Sequence, residues 1–327
     1  MESTRNKLIK LLAENQDNYI SGQKLSEQLS ISRAAIWKHM KELEKDGYQI
    51  EGKSKKGYRI IAFPNKLSKN TIQWGLDTGW LGENIIHREV VTSTQHVAHQ
   101  LAQEKATHGT IVIADEQTNG KGRMDHGWHS AKQRGIWMSL ILRPSILPAR
   151  APQLTLLTAT VLADVLAEKM EATPQIKWPN DILLNRKKVA GILTEMQAEQ
   201  DTIQYVVIGI GMNVNHTREE LPADIQQKAT SISIETVQNW SVRDLVQSIL
   251  KRFEAAYDLY MQNGFSGVKT KWEHYGFRIG ETIQVKTSRD VFPALFMGIA
   301  DDGALLIETR EGRQKIYSAE IDWGEEL

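Results

Sequence analysis

Apolar positions in the first sixty residues recur at helical spacing, then switch to short extended runs. Leu8, Leu11 and Leu12 mark a first helix. Ser21 has the side chain of an N-cap, and the spacing predicts a helix from there through Leu29, with Leu25 and Leu29 on one face. After a Ser30-Ile31 turn, Ser32 caps a third helix to about Lys45, ended by Asp46-Gly47. Ile36, Met40 and Leu43 face inward on it, while Arg33, Trp37, Lys38 and Lys41 fall largely on the other side. Tyr48–Glu51 and Gly57–Ile61 read as strands around a basic tip, Gly52-Lys53-Ser54-Lys55-Lys56. Helix, turn, helix and basic hairpin predict a winged helix-turn-helix that binds DNA. Its candidate contacts are Ser21, Ser32, Arg33, Trp37, Lys38, Lys41, Lys53, Lys55 and Lys56. The alternative is a small helical domain for dimerisation or protein contacts.

From residue 65 to about 273, strand-like runs alternate with helices. Strands are expected at Ile85–Val91, Thr110–Glu116, Gly135–Arg143, Ile182–Leu184, Val189–Met196 and Tyr205–Asn215. Helices are expected at about Gln95–Lys105, at Pro152–Met170, and from a Ser241 cap through about Met261. This pattern predicts an α+β domain with a mixed sheet. Residues 274–327 show four short strands, Glu281–Lys286, Pro293–Ile299, Ala304–Glu308 and Arg313–Ser318, with turns at Asp301-Asp302-Gly303 and Glu311-Gly312. They predict a small SH3-like β-barrel. The chain therefore divides into 1–64, 65–273 and 274–327, with Pro64-Asn65 as a linker.

Composition adds two constraints. The 327 residues contain no cysteine, which removes disulfides, thiolate metal sites and a cysteine nucleophile and fits a reducing cytoplasm. Residues 1–64 carry 12 Lys and Arg against 8 Asp and Glu, although the whole chain is neutral. A basic front segment on a mildly acidic body agrees with a nucleic-acid-binding appendage. No signal-peptide pattern or membrane-length apolar run is expected. His96 and His99 lie three apart on a predicted helix without a third ligand, so they read as surface residues rather than a metal site.

Four clusters can carry chemistry. Gly120-Lys121-Gly122-Arg123, with Gln117 before it and Trp128 after it, combines close backbone approach, fixed positive charge and a flat aromatic face. Lys177-Trp178-Pro179-Asn180-Asp181 places an amide and a carboxylate at the start of a strand. Lys188-Val189-Ala190-Gly191-Ile192-Leu193-Thr194-Glu195 begins the next one with a cation, and its glycine permits close backbone approach. Gly209-Ile210-Gly211-Met212-Asn213-Val214-Asn215 ends an apolar strand in two amides. Taken singly, each also reads as a surface turn, a bulge or a solvated cation.

In this order, and with Ser93-Thr94 ahead of them, the clusters resemble the biotin–protein ligases. The winged helix in front resembles the bifunctional bacterial members that also repress biotin genes. The likeness spans essentially the whole chain. It departs from the common pattern at Lys121, where many members carry Arg, and at Gln95, where Asn is common. The resemblance implies ATP-dependent activation of biotin to biotinyl-5′-AMP, then transfer to a lysine of a biotin carboxyl carrier protein. It implies Mg²⁺ with ATP, operator DNA as a partner, and a homodimer formed when the adenylate acts as corepressor. By the same resemblance, Arg123 and Lys188 are catalytic, and Ser93, Thr94, Gln95, Gln117, Lys121, Gly122 and Gly191 join them in holding biotin. Trp128, Lys177, Asn180, Asp181, Asn213 and Asn215 face the nucleotide. A DNA-binding sensor that no longer turns over, and a ligase for lipoate or another acyl group, are the competing readings.

Overall fold

The computed structural model describes residues 4–15, 18–45, 47–64, 66–170, 172–287 and 290–324. The helix stop expected at Asp46 and the linker residue Asn65 lie outside them. The chain packs as two compact units, residues 1–77 with 241–244, and residues 78–240 with 245–327.

The first unit opens with α1 (Thr4–Ala13), α2 (Gly22–Leu29) and α3 (Arg33–Lys45). Both serine caps form: Lys24 N donates to Ser21 Oγ at 3.1 Å and Ala35 N to Ser32 Oγ at 3.2 Å. Strands β1 (Gln49–Lys53) and β2 (Gly57–Ala62) make the antiparallel wing, and α4 (Lys69–Gln73) follows. Leu8, Leu12, Leu25, Ile36, Met40, Leu43, Tyr48 and Ile60 form one buried cluster. Their helical and alternate spacing is what brings three helices and a hairpin onto a shared core. The wing is tied down at its root, where Ile20 and Tyr58 form a β-bridge. A Cβ on Gly57, whose φ is +115°, would lie 2.0 Å from the Ile20 carbonyl oxygen, so only glycine fits there. Across the wing, Glu51 accepts from Tyr19 Oη at 2.5 Å and from Arg59 Nη2 at 2.7 Å.

The second unit runs β3 (Ile85–Val91), α5 (Thr94–Gln103), β4 (Thr110–Gln117), β5 (Gly120–Lys121), β6 (Gly127–Trp128), β7 (Gly135–Leu142) and α6 (Ala151–Met170). It continues through β8 (Gln175–Lys177), β9 (Asp181–Leu184), β10 (Lys187–Glu199), β11 (Thr202–Asn213), α7 (Ile232–Thr236), α8 (Val242–Asn263) and α9 (Ser266–Tyr275). Among the described residues, a mixed sheet of seven strands has the order β3-β4-β7-β11-β10-β9-β8, with only β3 and β4 parallel. All of β7 is buried, as its apolar run requires of a central strand. Helix α5 covers one side through Ala98 and Ala102, packed with Val112, Ile141, Tyr205 and Val207. Helix α6 is apolar around most of its circumference and buried accordingly.

The chain ends in a five-stranded antiparallel sheet, β12 (Thr282–Lys286), β13 (Val291–Ile299), β14 (Leu305–Thr309), β15 (Gly312–Ile316) and β16 (Glu320–Asp322). Its order is β15-β14-β13-β12-β16, so the last strand returns beside the first. The short β8 and β16 carry no alternation long enough to register in the sequence, and α9 was not expected either. The terminal sheet is joined to the larger one where Phe277 N donates to Ile176 O at 2.9 Å and Trp178 Nε1 to Gly303 O at 3.4 Å.

Candidate active site

The end of β4, the middle of β7, the start of β9, parts of β10 and β11 and the start of α5 surround a cleft of about 200 Å³. Its lining includes Ser93, Thr94, Gln95, Gln117, Lys121, Gly122, Arg123, Trp128, Asn180, Asp181, Lys188 and Gly191. Residues separated by up to 118 positions, Ser93 and Gly211, are thus brought to one site by the strand order.

One end of the cleft is polar and buried. Ser93, Thr94 and Gln95 are buried at the start of α5. Gln117 Oε1 accepts from Thr94 N at 2.8 Å and from Thr94 Oγ1 at 3.1 Å, while Gln117 Nε2 donates to Ser130 Oγ at 2.7 Å. The Ser93 hydroxyl is 2% exposed and has no hydrogen-bond partner. A buried hydroxyl left unpaired is costly and points to a bound polar group that completes it.

The glycine segment forms a tight hairpin over the cleft. Gly120 pairs with Trp128 and Lys121 with Gly127, and Gly122 N donates to His126 O at 2.7 Å. Met124 sits at the tip with left-handed backbone and is exposed. Lys121 is exposed, whereas Arg123 is half-buried and donates from Nη1 to Asn180 Oδ1 at 3.2 Å. Burial lowers the Arg123 pKa from its ordinary value, and the charge of Asp181 opposes that shift. Asn180 is itself pinned: its Nδ2 donates to Ile192 O at 2.9 Å, and Ile192 N returns a bond to Asn180 O at 3.0 Å.

Lys188 crosses to Asp181 at 2.8 Å, and its ammonium lies 5.2 Å from the centre of the Trp128 ring. That ring rests on a floor of two glycines, Gly191 and Gly211, which face each other across β10 and β11. The Trp128 indole Nε1 is buried without a partner. Two cations held by neighbouring protein groups, beside a flat ring and a polar end, suit a ligand with a carboxylate or phosphate at its middle.

Three of the residues expected at the nucleotide stand outside this lining. Asn213 Nδ2 donates to Thr230 O at 3.0 Å, and Asn215 exchanges bonds with the Trp240 backbone, both at 2.9 Å. The Lys177 ammonium lies 5.9 Å from the Trp323 ring. The expected DNA contacts occupy one unit: Arg33, Trp37, Lys38 and Lys41 are exposed on α3, and Lys53, Lys55 and Lys56 are exposed at the wing. Ser21 and Ser32 spend their hydroxyls on the helix caps.

The structure adds Met138 and Ser139 to the lining, and it places Ile192, Leu193, Gly209, Ile210 and Gly211 of the third and fourth clusters there. Ser139 had a signal, a lone hydroxyl inside an otherwise apolar strand. His99 is half-buried rather than a free surface residue: its Nε2 lies 3.1 Å from Glu195 Oε2. This contact holds the Glu195 carboxyl below its ordinary range. Among the described residues no group of three or more His, Asp and Glu side chains is placed to hold a metal.

The fold and cleft define a protein ligase of the biotin and lipoate class. Residues 88–213 match the Biotin/lipoate A/B protein ligase family, residues 4–59 an HTH domain, and residues 279–324 the Biotin protein ligase C terminal domain. The bifunctional ligase/repressor BirA of Bacillus subtilis is 46% identical over 325 residues, covering 99% of this chain and 100% of its own. The protein of that name from Escherichia coli is 30% identical over 303 residues, 92% of this chain and 91% of its own. A solved biotin protein ligase from Aquifex aeolicus, in complex with biotin and ATP, is 29% identical with a TM-score of 0.64, covering 73% of this chain and 98% of that one. The chain belongs to the family of bifunctional biotin ligase/repressors. No described helix is long and apolar enough to cross a membrane.

Proposed function

We propose that this protein activates biotin with ATP, transfers it to a lysine of a biotin carboxyl carrier protein, and represses biotin genes in response to the activated intermediate. The observation that carries the reading is a cleft with a buried, partly unsatisfied polar end at Ser93, Thr94 and Gln117, lined also by Arg123, Lys188 and Trp128. The ureido ring belongs at the polar end, where its N–H and C=O groups complete the buried partners. A lipoyl ring has nothing to offer the Ser93 hydroxyl, which favours biotin over lipoate.

In the first step a biotin carboxylate oxygen attacks the α-phosphorus of ATP. An acyl–phosphate bond forms, the bond to the bridging oxygen breaks, and pyrophosphate leaves. Arg123 and Lys188 neutralise the charge that gathers between carboxylate and phosphate, and they act by position rather than by proton transfer. Both have a protein partner in the free cleft, Asn180 and Asp181, so ligand binding exchanges one set of bonds for another. In the second step a carrier lysine, as the free amine, attacks the acyl carbon. An amide forms, and AMP departs with the electrons of the broken anhydride bond.

Gln95, Gly191, Lys121 and Gly122 complete the biotin side, the last two as the roof of the hairpin. Trp128, Asn180 and Asp181 face the nucleotide, and Lys177, Asn213 and Asn215 support that side from behind the lining. Asp181, a carboxylate of the cleft lining, would hold Mg²⁺ together with the ATP phosphates, and the ion would offset phosphate charge. Residues 1–64 bind operator DNA through α3 and the wing, residues 65–273 perform the chemistry, and residues 274–327 stabilise and flank the cleft. Adenylate under the hairpin favours a homodimer that binds a two-fold operator in the cytoplasm.

Purified protein incubated with radiolabelled biotin, MgATP and a carrier domain tests the reading. Label on the carrier, and operator binding that strengthens when biotin and ATP are both present, are the expected results. A chain that binds operator without transferring label would be a sensor lacking turnover, the reading against which Arg123 and Lys188 both speak.

A further inference from the structure

A chain of hydrogen bonds runs from the outer part of β10 to the polar end of the cleft. Gln95 Nε2 donates to Glu195 Oε2 at 2.8 Å, and the carbonyl oxygens of Val207 and Leu193 lie 3.3 and 3.5 Å from the same nitrogen. All three neighbours are acceptors, so the Gln95 amide has one orientation, with Oε1 turned towards Ser139. Ser139 Oγ donates to that oxygen at 3.2 Å. The single Ser139 proton is then committed, and Thr94 Oγ1, 2.9 Å away, meets only its lone pairs. The Thr94 proton in turn has two acceptors, Ser139 Oγ and Gln117 Oε1, the latter at 3.1 Å. Both hydroxyls are left offering lone pairs to a ligand. Glu195 is the one charged group at the head of this chain and makes its shortest bond to Gln95, yet it stands outside the cleft lining.

We propose that Glu195 is a positioning residue that acts through Gln95 to fix Ser139 and Thr94 as acceptors, and that Ser139 is a further specificity determinant that takes a ureido N–H. The inference rests on the biotin reading of this cleft. It assigns the donor and acceptor direction of the biotin end to a carboxylate that does not touch the ligand. A ligand with N–H groups at this end is accepted, and one with carbonyl oxygens there meets only lone pairs.

The test is a double-mutant cycle on the KM for biotin in the pyrophosphate-release reaction of the full chain. Glu195→Met removes the acceptor and raises the KM about tenfold, while kcat and the KM for ATP stay unchanged. Glu195→Gln keeps an acceptor oxygen for Gln95 and stays within about threefold of the parent. Ser139→Ala raises the same KM about tenfold, and Ser139→Cys replaces it if the alanine variant fails to fold. Because the two residues act in series, the Glu195→Met, Ser139→Ala protein shows little more than the effect of either change. A double variant near a hundredfold, the product of two independent effects, overturns the proposal, as does an unmoved KM in Glu195→Met. A parent that releases no pyrophosphate with biotin overturns the biotin reading as well. A working parent with multiplicative variants overturns this inference alone.

Discussion

Replacing Gly211 by alanine places a methyl group directly beneath Trp128. The new Cβ would stand 2.6 Å from Trp128 Cε2 and 2.7 Å from Nε1, where ordinary contact begins at 3.4 Å. The indole must therefore rise by about 1 Å, because the atoms below it are sheet backbone and do not yield. Gly211 lies in a regular antiparallel pair with Gly191 and does not have left-handed backbone, so alanine itself is unstrained there. Thermal stability should hold or rise slightly, since alanine restricts the unfolded chain. Activity should not hold. A displacement of about 1 Å in a positioning surface lowers the rate about a hundredfold. Pyrophosphate release with saturating ATP and varied biotin measures the loss, and the quenching of Trp128 fluorescence by ligand reports the moved ring. An adenylation rate within about threefold of the parent would refute the claim that the ring is seated on a glycine floor. Gly191→Ala gives a second reading of the same geometry, since its Cβ would meet Trp128 Cζ3 at 2.9 Å and Lys188 Cε at 3.2 Å.

Arg123→Ala removes a half-buried cation of the cleft, so adenylate should escape and label lysines on bystander proteins; labelling as selective as the parent's would argue against that role. His216 is fully buried, and burial, followed by the charge of His129, pushes its imidazole down to about 4. The unfolded chain takes up this proton near 6.5, so the folded protein loses stability as pH falls between 6.5 and about 4. The loss reaches roughly 3 kcal/mol. His216→Leu should flatten the denaturation curve in that window while leaving it unchanged above, as followed by circular dichroism. Lys55→Glu and Lys56→Glu at the exposed wing tip should weaken operator binding without altering carrier labelling, and each should reduce the salt slope of binding by about 1. An unchanged slope would remove the wing from the phosphate contacts.

The winged helix was legible because its determinants are local. Serine caps, a four-residue apolar repeat and a basic turn act within one or two turns of backbone, and Lys24 and Ala35 donate to the two predicted caps. The strands of the larger unit were equally plain wherever an apolar run was long, as in Gly135–Leu142. Elements of three residues, such as Gln175–Lys177 and Glu320–Asp322, carry too little pattern to register, and they exist because neighbouring strands complete their hydrogen bonds.

The candidate site divides along the same line. The sequence by itself determined which residue types were present to hold an anion and a polar ring: Arg123, Lys188, Asn180 and Asp181 lie in short motifs whose chemistry is carried by the side chains. Tertiary structure decided what those motifs face. Gly191 and Gly211 become one floor only because β10 and β11 are antiparallel in that register. Ser139 meets Gln95 only because β7 runs beneath the start of α5, and Asn213, two residues beyond Gly211, turns instead to the Thr230 carbonyl. Side-chain chemistry is fixed by the residue, whereas its partner is fixed by sheet order and by alternation along each strand, which act over a hundred residues of separation.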